Sequence, residues 1–326
     1  MSGVNASTAT ATTATAEGPG GGHRRPFQDG AGASHTGRFA PSPTGPLHTG
    51  SVLAALGSWL DARHHGGRWL VRMEDLDTAR VVPGAADAIL RTLEALGLEW
   101  DGPVDYQSRG QDAYLSALLR LRERGLTFPC SCSRRELAQA DTGYPGTCRS
   151  GPQRPGPCAE RFRVQAGELC VDDRIQGRRR WDLAQLGDVV VRRRDGVFAY
   201  QLAVTVDDAR QGITHVVRGA DLLDSTPWQV ELQRALGLPR PQYAHLPVVV
   251  DPDGAKLAKS LHALPADLSR PGATLLQVLT LLRQNPPPEL AALSPEHILA
   301  WAVPKWNPSA IHGLTTLPAP APKLLA

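Results

Sequence analysis

The chain has 326 residues, of which 41% are hydrophobic, and is therefore long enough to bury a large core in one or two domains. A formal net charge of +3 is compatible with nucleic-acid binding but does not establish it, because the placement of basic residues matters more than their total. Since the sequence has no N-terminal apolar leader, no apolar stretch of about 18 residues and an odd number of cysteines, five, we expect no secretory signal, no membrane span, no secreted disulfide framework and a cytoplasmic location.

The first 36 residues are rich in Ala, Thr and Gly and have almost no bulky apolar side chains. Such a composition cannot bury enough surface to fold, so we expect a disordered tail over residues 1–36. A dispensable extension is the preferred interpretation of this tail, and an RNA contact through Arg24 and Arg25 is the alternative.

A strand, a rigid loop and a helix follow the tail. Residues 37–40 predict a short buried strand, which the prolines of residues 41–47 terminate. Apolar residues at helical spacing predict a helix over 51–65. Free backbone N–H groups and the positive end of the dipole at the helix start favour a bound phosphate, to which His48 can also donate. Gly50 allows the backbone to approach such a ligand, because a Cβ would collide with it.

The next segment predicts a second strand beside the first. Residues 68–73 predict a strand that ends in an acidic cluster, residues 74–77. A right-handed β-α-β crossover makes the two strands parallel neighbours, so the cluster should lie beside the loop that contains Ser42. Residues 83–96 and 111–124 then predict amphipathic helices with structural roles.

Three cysteines lie within twenty residues: Cys130, Cys132 and Cys148. From their spacing alone, a metal site and a coincidental group of thiols are equally well supported. A tetrahedral zinc site needs a fourth ligand, for which Cys158 is one candidate. We interpret Cys170 as an ordinary thiol.

Two basic runs follow the cysteines, at Arg178–Arg180 and Arg192–Arg194. Charge runs of this kind usually form solvated faces. Contact with RNA phosphates is an equally supported interpretation when the runs lie next to a nucleotide-binding sheet.

The sheet then resumes. Residues 197–204, which include Tyr200, and residues 213–217 are apolar runs typical of buried parallel strands. Arg218 follows the second run, at the edge of the sheet where ligands bind. A helix over 226–236 and a strand over 245–250 complete this part.

Lysine is rare in this chain, and two lysines lie four residues apart in Lys256-Leu257-Ala258-Lys259-Ser260, just after the turn Asp251–Gly254. A compact ammonium on a flexible stem suits a loop that closes on a triphosphate. From residue 265 onward the chain is Pro-rich, with helices predicted over 273–284 and 295–303.

These motifs resemble those of a known family. The run Arg38–Gly50 with His48-Thr49-Gly50-Ser51 resembles the "HIGH" signature of class I aminoacyl-tRNA synthetases, in the form used by the glutamyl and glutaminyl branch. Residues 256–260 resemble its "KMSKS" signature, with Ala258 in place of the central serine. Thr49 and Ser51 depart from the first signature. Over residues 37–305 the chain resembles the glutamyl-queuosine tRNA(Asp) synthetase family, which lacks the anticodon-binding half of a full glutamyl-tRNA synthetase.

The resemblance implies an α/β fold, with a class I Rossmann-like parallel sheet interrupted by a zinc-bearing insertion and followed by a short helical remnant. The catalytic domain should comprise residues 37–105 and 195–264, the insertion residues 106–194, and the helical remnant and tail residues 265–326. A monomer is expected.

The resemblance also implies functional residues. The glutamate pocket would consist of Arg38, Phe39, Ala40, Pro41, Ser42, Glu74, Tyr200 and Arg218. Glu74 would bind the α-amino group, and Arg218 would pair with a carboxylate. His48, Lys256 and Lys259 would be catalytic, and His48, Gly50 and Lys259 would contact ATP. One structural zinc would be held by Cys130, Cys132, Tyr144 and Cys148, with Tyr144 preferred over Cys158.

The activity implied is activation of L-glutamate by ATP and Mg²⁺, followed by transfer to queuosine at the wobble position of tRNA(Asp). One alternative is a truncated glutamyl-tRNA synthetase that charges a tRNA 3′ end; the expected lack of a second half argues against it. The other is a catalytically silent, zinc-stabilised RNA-binding protein, against which the intact His48, Lys256 and Lys259 argue.

Overall fold

The computed structural model describes residues 35–137, 143–251 and 266–319. Its strands are β1 (Thr36–Phe39), β2 (Arg68–Met73), β3 (Asp105–Tyr106), β4 (Thr127–Cys130), β5 (Ala159–Phe162), β6 (Glu168–Asp173), β7 (Gly177–Asp182), β8 (Val189–Arg192), β9 (His215–Gly219), β10 (Gln242–Leu246), β11 (Val248–Val250) and β12 (Thr316–Pro318). Its α-helices are α1 (Thr49–His64), α2 (Ala85–Ala95), α3 (Gln111–Glu123), α4 (Arg134–Leu137), α5 (Leu183–Leu186), α6 (Tyr200–Arg210), α7 (Thr226–Leu236), α8 (Pro271–Leu281) and α9 (Pro295–Lys305). None of these helices is both long and apolar enough to cross a membrane.

The first strand begins one residue earlier than the sequence predicts. Thr36 opens β1, and both His35 and Thr36 are buried. These two residues therefore belong to the folded part and not to the tail predicted over residues 1–36. The rest of that prediction, residues 1–34, lies outside the described residues.

The strands β1, β2 and β3 form a parallel sheet, with α1 as the crossover between the first two. The strand β9 runs beside β1, where the Thr214 backbone N–H donates to the Thr36 carbonyl at 3.0 Å. β9 pairs in parallel with β10 along its whole length. The predicted α/β fold with a parallel sheet is therefore confirmed, and the carboxyl ends of β1, β2 and β9 meet at one edge.

A hairpin from the predicted insertion joins this layer. β6 and β7 form an antiparallel pair, and β6 contacts β10 in parallel at Asp173. The interval predicted as an insertion, residues 106–194, thus contributes two strands to the sheet that contains β9. The basic run Arg178–Arg180 lies on β7 and stands at the edge of this sheet.

The strand predicted over residues 197–204 is wrong, because these residues lead into α6. Every residue from Leu202 to Asp208 is buried, so the helix is covered on all sides. Its buried positions include Thr205, Asp207 and Asp208 as well as apolar residues, so the helix shows no amphipathic period. A short apolar run of this kind cannot be distinguished from a buried strand by periodicity.

The cysteines lie in a small antiparallel sheet formed by β4, β5 and β8. Phe128 packs there with Cys130 and Cys148 in a small cluster separate from the main core. Among the described residues this sheet shares no ladder with the β9 sheet, and it packs against α3 and α6 through Phe162 of β5 and Val191 of β8.

The C-terminal part packs against the first helix. α8 and α9, both predicted as helices, add Leu275 and Ile298 to the same core as the buried face of α1. The strand predicted over 245–250 is interrupted at Pro247, since proline cannot donate to a ladder, and is divided into β10 and β11. The tail contributes β12, which pairs in parallel with β11.

Candidate active site

A cleft of about 650 Å³ opens at the carboxyl ends of β1, β2 and β9. Pockets of this size accommodate small-molecule ligands. The residues predicted for glutamate and ATP that the structure describes all line it: Arg38, Phe39, Ala40, Pro41, Ser42, His48, Gly50, Glu74, Tyr200 and Arg218. The predicted turn at 251–254 and the two lysines predicted to be catalytic, Lys256 and Lys259, lie outside the described residues, apart from Asp251.

His48 caps the N-terminus of α1 with its own ring. Nδ1 accepts hydrogen bonds from the backbone N–H of Gly50 at 3.1 Å and of Ser51 at 3.3 Å. The expectation that these N–H groups are free for a phosphate is therefore wrong in this state of the protein. Because Nδ1 accepts, the proton of a neutral ring lies on Nε2, which is 3.0 Å from Ser51 Oγ. His48 can thus offer an Nε2–H donor to an anion at the helix start.

Arg38 is anchored below the cleft by Asp208. The Arg38 Nε donates to Asp208 Oδ1 at 3.2 Å, and Arg72 Nη2 donates to the same oxygen at 2.8 Å. Burial alone would raise the pKa of Asp208, but the two guanidinium groups outweigh burial and lower it. An ionised carboxylate therefore holds both arginines in place.

Glu74 follows β2 directly and lies among charged neighbours. Its Oε1 is 3.6 Å from Arg72 Nη2. Burial raises the pKa of Glu74 to about 7, with Asp208 and Asp207 adding to the rise and Arg72 and Arg38 opposing it. A carboxyl group in this state gains a full charge when a cation such as an ammonium group enters the cleft beside it.

The Arg218 guanidinium at the edge of β9 has intramolecular acceptors on all three of its nitrogens. Nε donates to His245 Nε2 at 3.0 Å. Nη1 donates to Gln229 Oε1 at 2.8 Å and to the Tyr200 hydroxyl at 3.3 Å. Nη2 donates to Thr226 Oγ1 at 3.0 Å and to the Leu222 carbonyl at 3.3 Å. Each terminal nitrogen therefore has one short contact and one long contact.

Several of these partners are absent from the sequence-based prediction. Asp208 was not predicted, because the apolar run that leads into α6 resembles a strand. The two adjacent carboxylates next to that run are a signal of buried ion pairs that could have identified it. Asp173 and His245 are 72 residues apart, and their contact depends on the unexpected hairpin β6–β7. Gln229 lies on the buried face of α7, in the correctly predicted helix over 226–236.

The three predicted cysteines converge. The Sγ atoms of Cys130, Cys132 and Cys148 lie within 4.8 Å of one another, and those of Cys132 and Cys148 are 3.5 Å apart. The Tyr144 hydroxyl is 3.5 Å from Cys130 Sγ and 4.0 Å from Cys132 Sγ. Cys158 is outside this group, and its thiol contacts the Gly156 carbonyl. Three sulfurs and one phenol oxygen around one point fit a four-coordinate metal.

A second group of potential ligands does not fit a metal. His35, Asp61 and His65 have ligand atoms within 4.8 Å of one another. However, the rings of His35 and His65 are stacked at 4.6 Å with an interplanar angle of 13°, so their in-plane lone pairs run parallel and do not converge. Arg174 also contacts both oxygens of Asp61, at 2.7 and 2.9 Å, and already neutralises that carboxylate.

The family described as tRNA synthetases class I (E and Q), catalytic domain, matches residues 35–269. The chain therefore belongs to this family of class I aminoacyl-tRNA synthetases, and it is an enzyme of the ligase type. Its sequence is similar to proteins named Glutamyl-Q tRNA(Asp) synthetase. The relative from Dechloromonas aromatica is 54% identical, over 87% of this chain and 99% of that protein. The relative from Pseudomonas aeruginosa strain PAO1 is 51% identical, over 88% of this chain and 98% of that protein.

Solved structures give the same class. A glutamate-tRNA synthetase from Elizabethkingia anophelis has a TM-score of 0.73 and 25% identity, over 88% of this chain and 68% of that one. A glutamate tRNA ligase from Elizabethkingia meningosepticum, solved in complex with its amino acid, has a TM-score of 0.72 and 26% identity, over 87% of this chain and 67% of that one. The resemblance inferred from the two signatures is thereby confirmed.

Proposed function

We propose that this enzyme activates L-glutamate with ATP and Mg²⁺ and transfers it to the queuosine base at the wobble position of tRNA(Asp). The observation that carries the proposal is the cleft, in which the residues expected to bind glutamate and ATP lie together. The names of relatives that share 51–54% identity over nearly their whole length support queuosine as the acceptor.

In the proposed reaction, the α-carboxylate of glutamate attacks the α-phosphate of ATP in line and pyrophosphate leaves. Negative charge grows on the phosphate oxygens, so fixed donors aimed at them lower the barrier. The proposed donors are the His48 Nε2–H, Lys256 and Lys259, together with the Gly50 N–H, which would exchange His48 Nδ1 for a phosphate oxygen. Mg²⁺ would screen the phosphates of ATP. No side chain has to act as a nucleophile, because the chemistry depends on positioning and charge.

Glutamate would be held by groups on both sides of the cleft. We assign Glu74 to the α-amino group and Arg38, Ser42 and Tyr200, which also line the cleft, to the rest of the amino acid. A carboxylate can bind Arg218 with both oxygens by replacing its two long contacts, the Tyr200 hydroxyl and the Leu222 carbonyl, which are on different terminal nitrogens. The short contacts to Gln229 and Thr226 would keep the fork in place during this exchange.

The two basic runs differ as RNA-binding candidates. Arg193 pairs with Asp77 and Asp195, and Arg194 donates to the carbonyls of Ser131 and Cys132, so the second run is engaged within the protein. Arg178 and Arg180 have side chains 68% and 64% exposed, with surface ion pairs at 4.0 and 3.3 Å. Exposed pairs of this kind are weak, so we assign tRNA phosphates to the first run.

The acceptor can be tested by locating the label. We expect labelled glutamate to be found on the wobble nucleoside after nuclease digestion of tRNA(Asp) charged by the wild-type enzyme. An anticodon loop is largely single-stranded and can present a splayed base to a cleft. The controls are tRNA(Asp) that lacks queuosine and tRNA(Glu), neither of which should be charged. Label on the 3′-terminal adenosine would support the truncated tRNA(Glu) enzyme, and ATP- and glutamate-independent RNA binding alone would support the silent RNA-binding protein.

We also propose one structural zinc in the cysteine-bearing region, held by Cys130, Cys132, Tyr144 and Cys148. Thiolates are strong zinc ligands, and Arg161, whose guanidinium lies 4.0 Å from the Tyr144 ring centre, places a positive charge beside the phenol. Such a site would stabilise the end of the β4–β5–β8 sheet where Phe128, Cys130 and Cys148 form a small buried cluster.

The chain offers a matched pair of variants for this site. Cys148→Ser should remove the metal, whereas Cys158→Ser should leave about one zinc per chain, because Cys158 is outside the cluster. The measurement is metal content after purification without chelators, together with thermal unfolding. Loss of zinc from Cys158→Ser but not from Cys148→Ser would contradict the assignment.

A further inference from the structure

A buried pair of residues lies directly behind Arg218, outside the cleft. His245 on β10 is fully buried, and Asp173 at the end of β6 is 5% exposed. His245 Nδ1 is 2.6 Å from Asp173 Oδ2, and His245 Nε2 is 3.0 Å from Arg218 Nε. Neither residue lines the cleft, so neither can contact a bound amino acid directly.

The hydrogen-bond chemistry allows only one arrangement of protons in this chain of groups. An arginine Nε always carries a proton and can only donate, so His245 Nε2 must be the acceptor. The imidazole proton must then lie on Nδ1, from which it is donated to Asp173 Oδ2. The carboxylate thus selects the tautomer of His245 whose bare nitrogen faces Arg218.

We propose that Asp173 and His245 are positioning residues that fix the plane of the Arg218 guanidinium for the carboxylate of the amino acid substrate. This inference rests on the proposed assignment of Arg218 to glutamate. In the other tautomer, or with a protonated imidazole, an N–H would face the N–H of Arg218, and the guanidinium would have to turn away. Gln229 and Thr226 hold the two terminal nitrogens, and the acceptor at Nε is His245 Nε2, whose tautomer is set by Asp173 at the end of β6.

The charges around the pair agree with this arrangement. Burial lowers the pKa of His245 to about 4, with Arg218 adding to the fall and Asp173 opposing it. Burial would raise the pKa of Asp173, but hydrogen bonds, first that of His245, outweigh burial and hold the pKa at about 2. A neutral imidazole next to an ionised carboxylate is therefore the stable form near neutral pH.

The two carboxylate oxygens of Asp173 have different hydrogen-bond partners, so a single substitution can change the bond to the imidazole and keep the others. Oδ1 accepts from the backbone N–H groups of Ile175, Gln176 and His245, at 3.0, 2.7 and 3.1 Å. Oδ2 faces the imidazole. In Asp173→Asn the amide oxygen has to take the Oδ1 place to keep three donors satisfied, so the amide NH₂ faces His245 Nδ1. The imidazole proton is then forced onto Nε2, against Arg218.

The test is glutamate-dependent ATP–pyrophosphate exchange by the wild type and Asp173→Asn. We expect the KM for glutamate to rise about 10-fold to 100-fold, the usual effect of losing a hydrogen bond to a charged group, while kcat and the KM for ATP change less than about threefold. Gln176→Ala is the matched control. It removes the bond from Gln176 Nε2 to the His245 carbonyl at 2.8 Å without touching the ring, and its KM for glutamate should stay within about threefold of the wild-type value.

Each outcome has a definite meaning. A wild-type enzyme without glutamate-dependent exchange would overturn the proposed function itself. An active wild type together with an unchanged KM for glutamate in Asp173→Asn, or with an equal rise in the KM for ATP, would overturn the positioning role. If Asp173→Asn does not fold, ¹⁵N spectra of histidine-labelled wild-type enzyme decide the question. A proton on Nδ1 of His245 supports the inference, and a proton on Nε2 overturns it.

Discussion

Replacing Lys259 with alanine is expected to lower glutamate-dependent ATP–pyrophosphate exchange by about two to four orders of magnitude. The lysine belongs to the second signature, and we propose that its ammonium group meets the negative charge that develops on the phosphates. Loss of one such contact typically costs a factor of about 10² to 10³, and a lysine that also draws a loop over ATP adds to that factor. Glutamate binding in the absence of ATP should remain, because the lysine is assigned to the nucleotide.

Lys305 provides a matched control, since it is one of the few other lysines of the chain. It lies at the end of α9, with Nζ 5.7 Å from the centre of the Trp301 ring, on the face of the protein formed by the C-terminal helices. Lys305→Ala should exchange pyrophosphate at close to the wild-type rate. If Lys259→Ala behaves like Lys305→Ala, Lys259 has no role in activation.

Elements bounded by strong local signals could be predicted from the sequence. The structure places α7 over Thr226–Leu236, the range that the sequence predicts, because Pro227 suits its first turn and Gly237 with a φ of 64° ends it. The first strand–loop–helix unit was predictable for the same reason, since prolines stop β1 and glycines follow α1.

Elements that depend on tertiary contacts could not be predicted. The run 197–204 lacks a period because α6 is buried on all sides, so the sequence contains no signal that separates helix from strand. The hairpin β6–β7 looks like part of an Arg-rich insertion, and only its contact with Tyr243 on β10 assigns it to the main sheet.

The same distinction applies to the cleft. Its lining could be predicted because the motifs are contiguous and because the ends of parallel strands meet at one edge. The groups behind the lining, such as Asp208 below Arg38 and His245 behind Arg218, come from elements distant in sequence. They carry no motif of their own, and only the packing of α6 and β10 brings them to the arginines.

Glu74→Gln is expected to act in opposite directions on substrate affinity and on stability. The proposed ammonium contact depends on the charge of Glu74, and removing one partner of a buried charge pair costs about 2 kcal/mol or more. The KM for glutamate should therefore rise at least about 30-fold.

In the wild type, the affinity for glutamate should increase as the pH rises through about 7, the pKa of Glu74, because the ionised form binds the ammonium. The variant should lose this pH dependence. Asp75→Asn is the control, because Asp75 accepts from the Ser108 backbone N–H and hydroxyl at 2.8 and 2.7 Å and does not line the cleft.

The effect on stability follows from the same pKa. Burial raises the pKa of Glu74 from 4.5 to about 7, so the folded protein binds a proton more tightly than the unfolded chain does. Folded-state stability therefore decreases as the pH rises from about 4.5 to 7, and above that range the ionised carboxylate costs up to about 3 kcal/mol.

Glutamine carries no charge and avoids this cost. Urea unfolding of the substrate-free proteins should show the variant to be about 1–3 kcal/mol more stable than the wild type at pH 8, with a much smaller difference at pH 5. A variant that is less stable than the wild type at pH 8 and binds glutamate normally would contradict both the strained carboxylate and its place in the pocket.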